Sequence, residues 1–193
     1  AKLFNNLCHK ISYIHQEEQA GLGHAALCAK QWVGLEPFML LLGDHVYKSC
    51  SENNCAKQII DCYEKFGAST SVVGIYPERL DNIEHYGTVC GQWEKEAVLK
   101  IATIREKPTK DFATEFLSVE KQGQPHFYCV NGIYIFIPEI FNKLEAQARE
   151  NRTFKGELQL TTAIEELLED SGLIGLEVEG SHFDTGMPEA YAN

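Results

Sequence analysis

"PFMLLLGD", Pro37 to Asp44, is a continuous apolar run fenced by a proline and a Gly-Asp pair. A strand with one wet face alternates apolar and polar residues, whereas an unbroken run reads as a strand buried on both faces, at the centre of an α/β sheet. Its neighbours support that class. Upstream, "KISYIH" (Lys10–His15) alternates like a strand, and "GHAALCAKQWV" (Gly23–Val33) carries a helical apolar stripe. Downstream, "NCAKQIIDCYEKFG" predicts a helix that Asn53 or Asn54 caps and Gly67 ends. "STSVVGIY" (Ser69–Tyr76) then reads as a second buried strand.

The middle of the chain changes character. "YGTVCGQW" (Tyr86–Trp93) and "AVLKIATIREKP" (Ala97–Pro108) predict a hairpin turning near Lys95, and "FYCVNGIYIFIP" (Phe127–Pro138) is strand-like. Helices are predicted over "PEIFNKLEAQARE" (Pro138–Glu150) and "LQLTTAIEELLEDSG" (Leu158–Gly172), the latter stopped by Gly172, and "IGLEVEGSHFDTG" (Ile174–Gly186) closes as a strand entering a loop. Strands alternating with helices imply an α/β fold: a mixed, mostly parallel sheet flanked by helices, with inserted antiparallel strands. The 193 residues are expected to form a single domain.

A formal charge of −11 argues against a broad nucleic-acid surface. No apolar run approaches the roughly 20 residues that span a bilayer. Seven cysteines, an odd number in apolar contexts, fit free thiols of a reducing cytoplasm better than a disulfide framework. Cys50, Cys55 and Cys62, with His45 just before them, lack the tight pairs of a zinc site.

Asp44 stands where the buried strand ends, the edge at which open α/β sheets bind ligands, and a carboxylate there suits a hard cation such as Mg²⁺. Asp184 in "SHFDTGMPE" is either turn chemistry or a distant second ligand for that metal. In "REKP" (Arg105–Pro108), Glu106 and Lys107 either form a solvated strand end or offer a hydroxyl acceptor and a phosphate-binding point charge. "GLG" (Gly21–Gly23) permits close backbone approach but is no complete phosphate loop. Glu157 in "GEL" (Gly156–Leu158) suits the first turn of a helix. No nucleophile–base pairing stands out.

Taken in order, "Q-x4-GLGHA", "LLLGDHVY", "YGTV", "REKP", "VNGIYIF", "GELQLTTAI" and "FDTGMPEAY" resemble the sugar-1-phosphate nucleotidylyltransferases, nearest the bacterial UTP–glucose-1-phosphate uridylyltransferases. The resemblance spans nearly the whole chain. It implies a Rossmann-like nucleotidyltransferase fold and formation of UDP-glucose and pyrophosphate from UTP and glucose 1-phosphate with Mg²⁺, in the cytoplasm. By the same resemblance Gln16 and Gly21 bind the uracil, and Asp44 and Asp184 hold the metal. Gly87, Glu106, Val130 and Glu157 line the sugar pocket, Lys107 holds the sugar phosphate, and Lys107 and Asp44 serve transfer. A homo-oligomer is compatible with it. Two other readings stay open: a thymidylyltransferase using dTTP, and a non-catalytic domain that holds a sugar nucleotide. The family opens on a strand and a G-x-G-T-R loop with a lysine further on, which this sequence does not contain. The chain is therefore expected to be a fragment or a shortened relative, incomplete at its N-terminus and also at its C-terminus, with little activity by itself.

Overall fold

The computed structural model describes residues 10–186, so the "MPEAY" end of the last motif lies outside the described residues. Two short helices, α1 (Leu22–Cys28) and α2 (Lys30–Val33), lead into β1 (Phe38–Leu41) and β2 (His45–Ser49). Then follow α3 (Cys55–Lys65), β3 (Ser71–Glu78), β4 (Gly87–Lys95), β5 (Val98–Glu106), α4 (Lys110–Phe116), β6 (Val119–Lys121) and β7 (Gln124–Phe136). Helices α5 (Glu139–Arg149) and α6 (Leu160–Ser171) precede β8 (Leu173–Glu177) and β9 (Gly180–Asp184). Among the described residues no helix is long and apolar enough to cross a membrane.

Local chemistry sets the boundaries. Asn54 caps α3, its side-chain oxygen accepting from the Lys57 amide at 2.8 Å, a contact worth about 1 kcal/mol. Thr109 caps α4 in the same way. Gly172 ends α6 with φ +71°, a left-handed conformation that glycine adopts without penalty.

The main sheet runs β1-β7-β3-β8-β5-β4, and β4 returns to pair with β7. Five strands thus form a closed circuit of pairings, with β1 and β6 attached to β7 outside it. The sheet is mixed and flanked by helices, as expected, but parallel neighbours do not dominate. Among the described residues only β3 and β8 pair in parallel, Ser71 opposite Leu173. The reason is β7, 13 residues long, which inserts antiparallel between β1 and β3. Strands β1 and β3 still point the same way, but a reversed strand separates them.

Three local expectations also change. β1 is a strand, but it stands at the sheet's end, pairing only with β7 among the described residues, and Leu41 is 51% exposed. "KISYIH" forms no strand. The C-terminal stretch is two strands rather than one: β8 joins the main sheet and β9 leaves it to pair with β2.

The core lies between the sheet and its helices. Ile59 of α3, Val72, Val73 and Ile75 of β3, Phe136 of β7, Ile140 and Leu144 of α5, and Ile164 and Leu167 of α6 are fully or almost fully buried in one cluster. Phe38 of β1 stacks on Phe141 of α5 at 4.9 Å. A smaller cluster of Ile83, Ala113, Leu117 and Cys129 fastens α4 to the sheet. Truncating such a side chain, Leu144 for example, costs about 2–5 kcal/mol.

Candidate functional site

Two carboxylates from opposite ends of the chain meet at the β2–β9 pair. Asp44 directly follows the β1 turn, Asp184 ends β9, and the register sets His45 opposite Asp184. The Thr185 amide and hydroxyl both donate to the Asp44 carbonyl, at 2.8 and 2.6 Å, which ties the two segments together. The Gly186 amide donates to Asp184 Oδ1 at 2.9 Å. A Cβ on Gly186 would stand 2.9 Å from Asp44 Oδ2 and 3.1 Å from Asp184 Oδ1, so only a bare backbone lets both carboxylates close in. One ligand atom each from Asp44, His45 and Asp184 lie within 4.8 Å of one another. Two carboxylate oxygens and an imidazole nitrogen are a donor set that fits a divalent cation.

A second group forms on the main sheet. Gly87 of β4 is paired with Glu106 of β5. A Cβ on Gly87 would lie 3.1 Å from Val130 Cγ2 and 3.5 Å from Glu106 Oε2, so the three residues share one surface. The Thr161 hydroxyl, in the first turn of α6, donates to Glu106 Oε2 at 2.6 Å. Lys107 follows with φ +43°, a conformation that costs a non-glycine residue roughly 1 kcal/mol. Its amide donates to the Tyr86 carbonyl at 3.2 Å, and its exposed ammonium is 3.9 Å from Glu106 Oε1.

The third group sits at the start of α1. Gln16 Nε2 donates to the Gly21 carbonyl at 3.2 Å and lies 3.0 Å from His24 Nδ1. Gly21 has φ +93°, and a Cβ there would stand 2.8 Å from Glu157 Cβ. The Gly23 amide donates to the Leu158 carbonyl, and the Leu158 amide to the Ala20 carbonyl. The glycines therefore serve close packing of the "GLG" loop against the "GEL" segment. That packing brings Gln16 and Gly21 beside Glu157, just ahead of the helix that carries Thr161.

The "VNG" of β7 joins the first two groups. Val73 pairs with Tyr134 and Ile75 with Val130, so Asn131, Gly132 and Ile133 stand opposite Gly74 alone. This is a bulge, the device that re-aims a strand near functional sites. A Cβ on Gly74 would fall 2.2 Å from Asn131 Oδ1, so the buried Asn131 side chain occupies the room that glycine leaves. The Asn131 carbonyl turns to the Asp44–His45 side, where the Tyr47 hydroxyl donates to it and His45 Nδ1 lies 3.0 Å away. Gly132, with φ +79°, leaves space for the His45 ring. His182 packs on the same ring, its Nε2 2.7 Å from His45 Nδ1. Burial, reinforced by His45, pushes the His182 pKa down to about 4, so the ring is neutral at pH 7. Burial, reinforced by Asp44, raises the Tyr47 hydroxyl well above its ordinary value.

The structure thus gathers the residues singled out from the sequence into three adjoining groups. Sequence reasoning missed Thr161, Asn131 and Gly132, and considered His45 beside the cysteines rather than beside Asp44. The Asp44-His45 adjacency was the available signal for His45. No local signal marks Thr161, whose role comes from packing.

A model of the nucleotidyl transferase family matches residues 3–193. A curated UTP–glucose-1-phosphate uridylyltransferase of Staphylococcus epidermidis is 34% identical over 177 residues, 91% of this chain and 55% of that protein. Two solved structures, an apo UDP-glucose pyrophosphorylase and a UDP-glucose pyrophosphorylase complexed with UDP-glucose, are each 29% identical, with TM-scores of 0.82 and 0.80. Each match covers 98% of this chain, and 64% and 67% of those chains. The chain spans little more than half the length of the curated relative it matches.

Proposed function

The chain belongs to the nucleotidyl transferase family, and from that premise we propose that the complete protein makes UDP-glucose and pyrophosphate from UTP and glucose 1-phosphate. The observation that carries this reading is the bulge at Asn131–Gly132, which sets a two-carboxylate group against a Gly87–Glu106–Val130 surface. A nucleotidylyl transfer needs that adjacency: two phosphate groups must approach each other in line, and one of them carries a sugar. The described residues are read as part of one nucleotidyltransferase domain.

The donor chemistry of Asp44 and Asp184 fits Mg²⁺, which would draw charge from the phosphate oxygens. Lys107, its ammonium 3.9 Å from Glu106 Oε1, is the point charge for the sugar phosphate. Glu106, fixed on one oxygen by Thr161, keeps lone pairs for sugar hydroxyls. Val130 and Gly87 form the apolar floor, and Glu157 contributes a further acceptor. Gln16 engages its Nε2 within the chain, which orients its carbonyl Oε1 to accept from a pyrimidine N–H, with the Gly21 backbone beside it. The attacking phosphate oxygen is already an anion, so no side chain has to remove a proton.

Pyrophosphate release by the complete protein with UTP, glucose 1-phosphate and Mg²⁺ tests the reading. Saturable turnover is expected; no turnover with any nucleoside triphosphate sinks it. Competition between UTP and dTTP in the same assay separates two bases that differ by one methyl, a difference worth about 1–3 kcal/mol. Gln16→Ala should weaken UTP binding about tenfold, the loss of one good hydrogen bond, and leave glucose 1-phosphate binding alone.

A further inference from the structure

We infer that His45 is a third protein ligand of the cation site formed by Asp44 and Asp184, and that its imidazole moves the preference of the site from Mg²⁺ toward Mn²⁺ and Co²⁺. The inference rests on the metal reading above and adds a residue and a selectivity to it.

The tautomer follows from the partners. The Asn131 carbonyl, 3.0 Å from His45 Nδ1, can only accept, so Nδ1 carries the ring proton. His182 Nε2, 2.7 Å from the same atom, accepts a share of that proton. In the neutral ring the lone pair therefore sits on Nε2. That atom is 3.8 Å from Asp44 Oδ1 and 4.0 Å from Asp184 Oδ1, too far for hydrogen bonds. With that tautomer, one imidazole nitrogen and two carboxylate oxygens face a common space. Ligands held about 2.1 Å from a common ion stand roughly 3–4 Å apart; the two imidazole–carboxylate separations match that, and all three atoms lie within 4.8 Å of one another.

The ring is held in that pose. Its side chain is 8% exposed. A Cβ on Gly132 would lie 2.6 Å from Nδ1, so the left-handed glycine of the bulge is what admits the imidazole. Fixing Nδ1 on a backbone carbonyl is how metal-ligating histidines are oriented through their far nitrogen. A nitrogen donor changes the chemistry of the site. Mg²⁺ prefers an all-oxygen shell, whereas Mn²⁺ and Co²⁺ accept imidazole, and Co²⁺ gains more from it in the Irving–Williams order.

The test uses the full 193-residue chain, metal-free, titrated with Mn²⁺, Co²⁺ or Mg²⁺. Pulsed electron paramagnetic resonance of bound Mn²⁺ reads ¹⁴N coupling from a coordinated ring directly. The wild type should show that coupling, His182→Gln should keep it, and His45→Gln should lose it. His45→Gln should also weaken Co²⁺ binding at least about tenfold, and Mg²⁺ binding by much less. Asp184→Asn should remove Mn²⁺ binding, which locates the site. Mn²⁺ bound in the wild type without ¹⁴N coupling, or coupling that survives in folded His45→Gln, overturns the inference and leaves a two-carboxylate site standing. Should His45→Gln not fold, the wild-type and His182→Gln spectra still decide between the outcomes. Failure of the wild type to bind any of the three ions at millimolar concentration overturns the metal reading together with the inference.

Discussion

The Glu106 group and the Asp44–Asp184 group are held in opposite ways. Glu106 sits on the β4–β5 hairpin, takes a hydrogen bond from Thr161 and has the Lys107 ammonium nearby. Asp44 and Asp184 sit at the ends of separate segments, face each other and the His45 ring, and are joined through contacts of Thr185 and Gly186. In the first group the protein supplies donors for its own acceptor. In the second, acceptors outnumber donors, an arrangement that gains most from an added cation. A group that is already paired can position a neutral hydroxyl, and a group left electron-rich can gather a charge.

Substitutions should separate the two groups. The largest effect is expected from Asp184→Asn in the complete protein, with turnover falling about a thousandfold or more, as for the loss of a central electrostatic contact. A steady-state assay checks it, and a loss below tenfold would break the contrast. Gly132→Ala comes next, because it strikes the hinge between the groups. A Cβ at φ +79° and 2.6 Å from His45 should cost about 2 kcal/mol of stability, read by urea denaturation, and lower Mn²⁺ affinity as well. Thr161→Val is expected to be the mildest. Losing one hydroxyl donor to Glu106 should raise KM for the sugar phosphate about fivefold to tenfold and leave metal affinity unchanged. An equal fall in metal affinity would show that the groups are not separable.

The sequence carried the two groups unequally. The hairpin that bears Gly87, Glu106 and Lys107 was readable from alternation and from Pro108, because its pairing is local. Asp44 was readable from the end of an apolar run. The position of that run was not: five apolar residues looked central, yet β1 lies at the sheet's end because β7 claims the place between it and β3. Pairing over such separations leaves no local mark on composition. β2 was missed although His45–Ser49 alternates in burial, the period of a strand. The meeting of Asp44 with Asp184 was only one of two readings. It depends on β9 leaving the main sheet for β2, a choice made by tertiary packing rather than by turn residues.

The closed circuit of strands has a consequence for the order in which the molecule comes into being. Ser71 finds its partner Leu173 about a hundred residues later, and His45 finds Asp184 later still. On a ribosome, β4, β5 and β7 can pair as they emerge, but the circuit shuts only when β8 is released, and contacts of such long separation form slowly. The Gly87–Glu106–Val130 surface can therefore be in place on a nascent sheet while Asp184 is still unmade. Affinity for a cation at the proposed Asp44–Asp184 site would then serve as a timestamp, appearing only after β9 has docked.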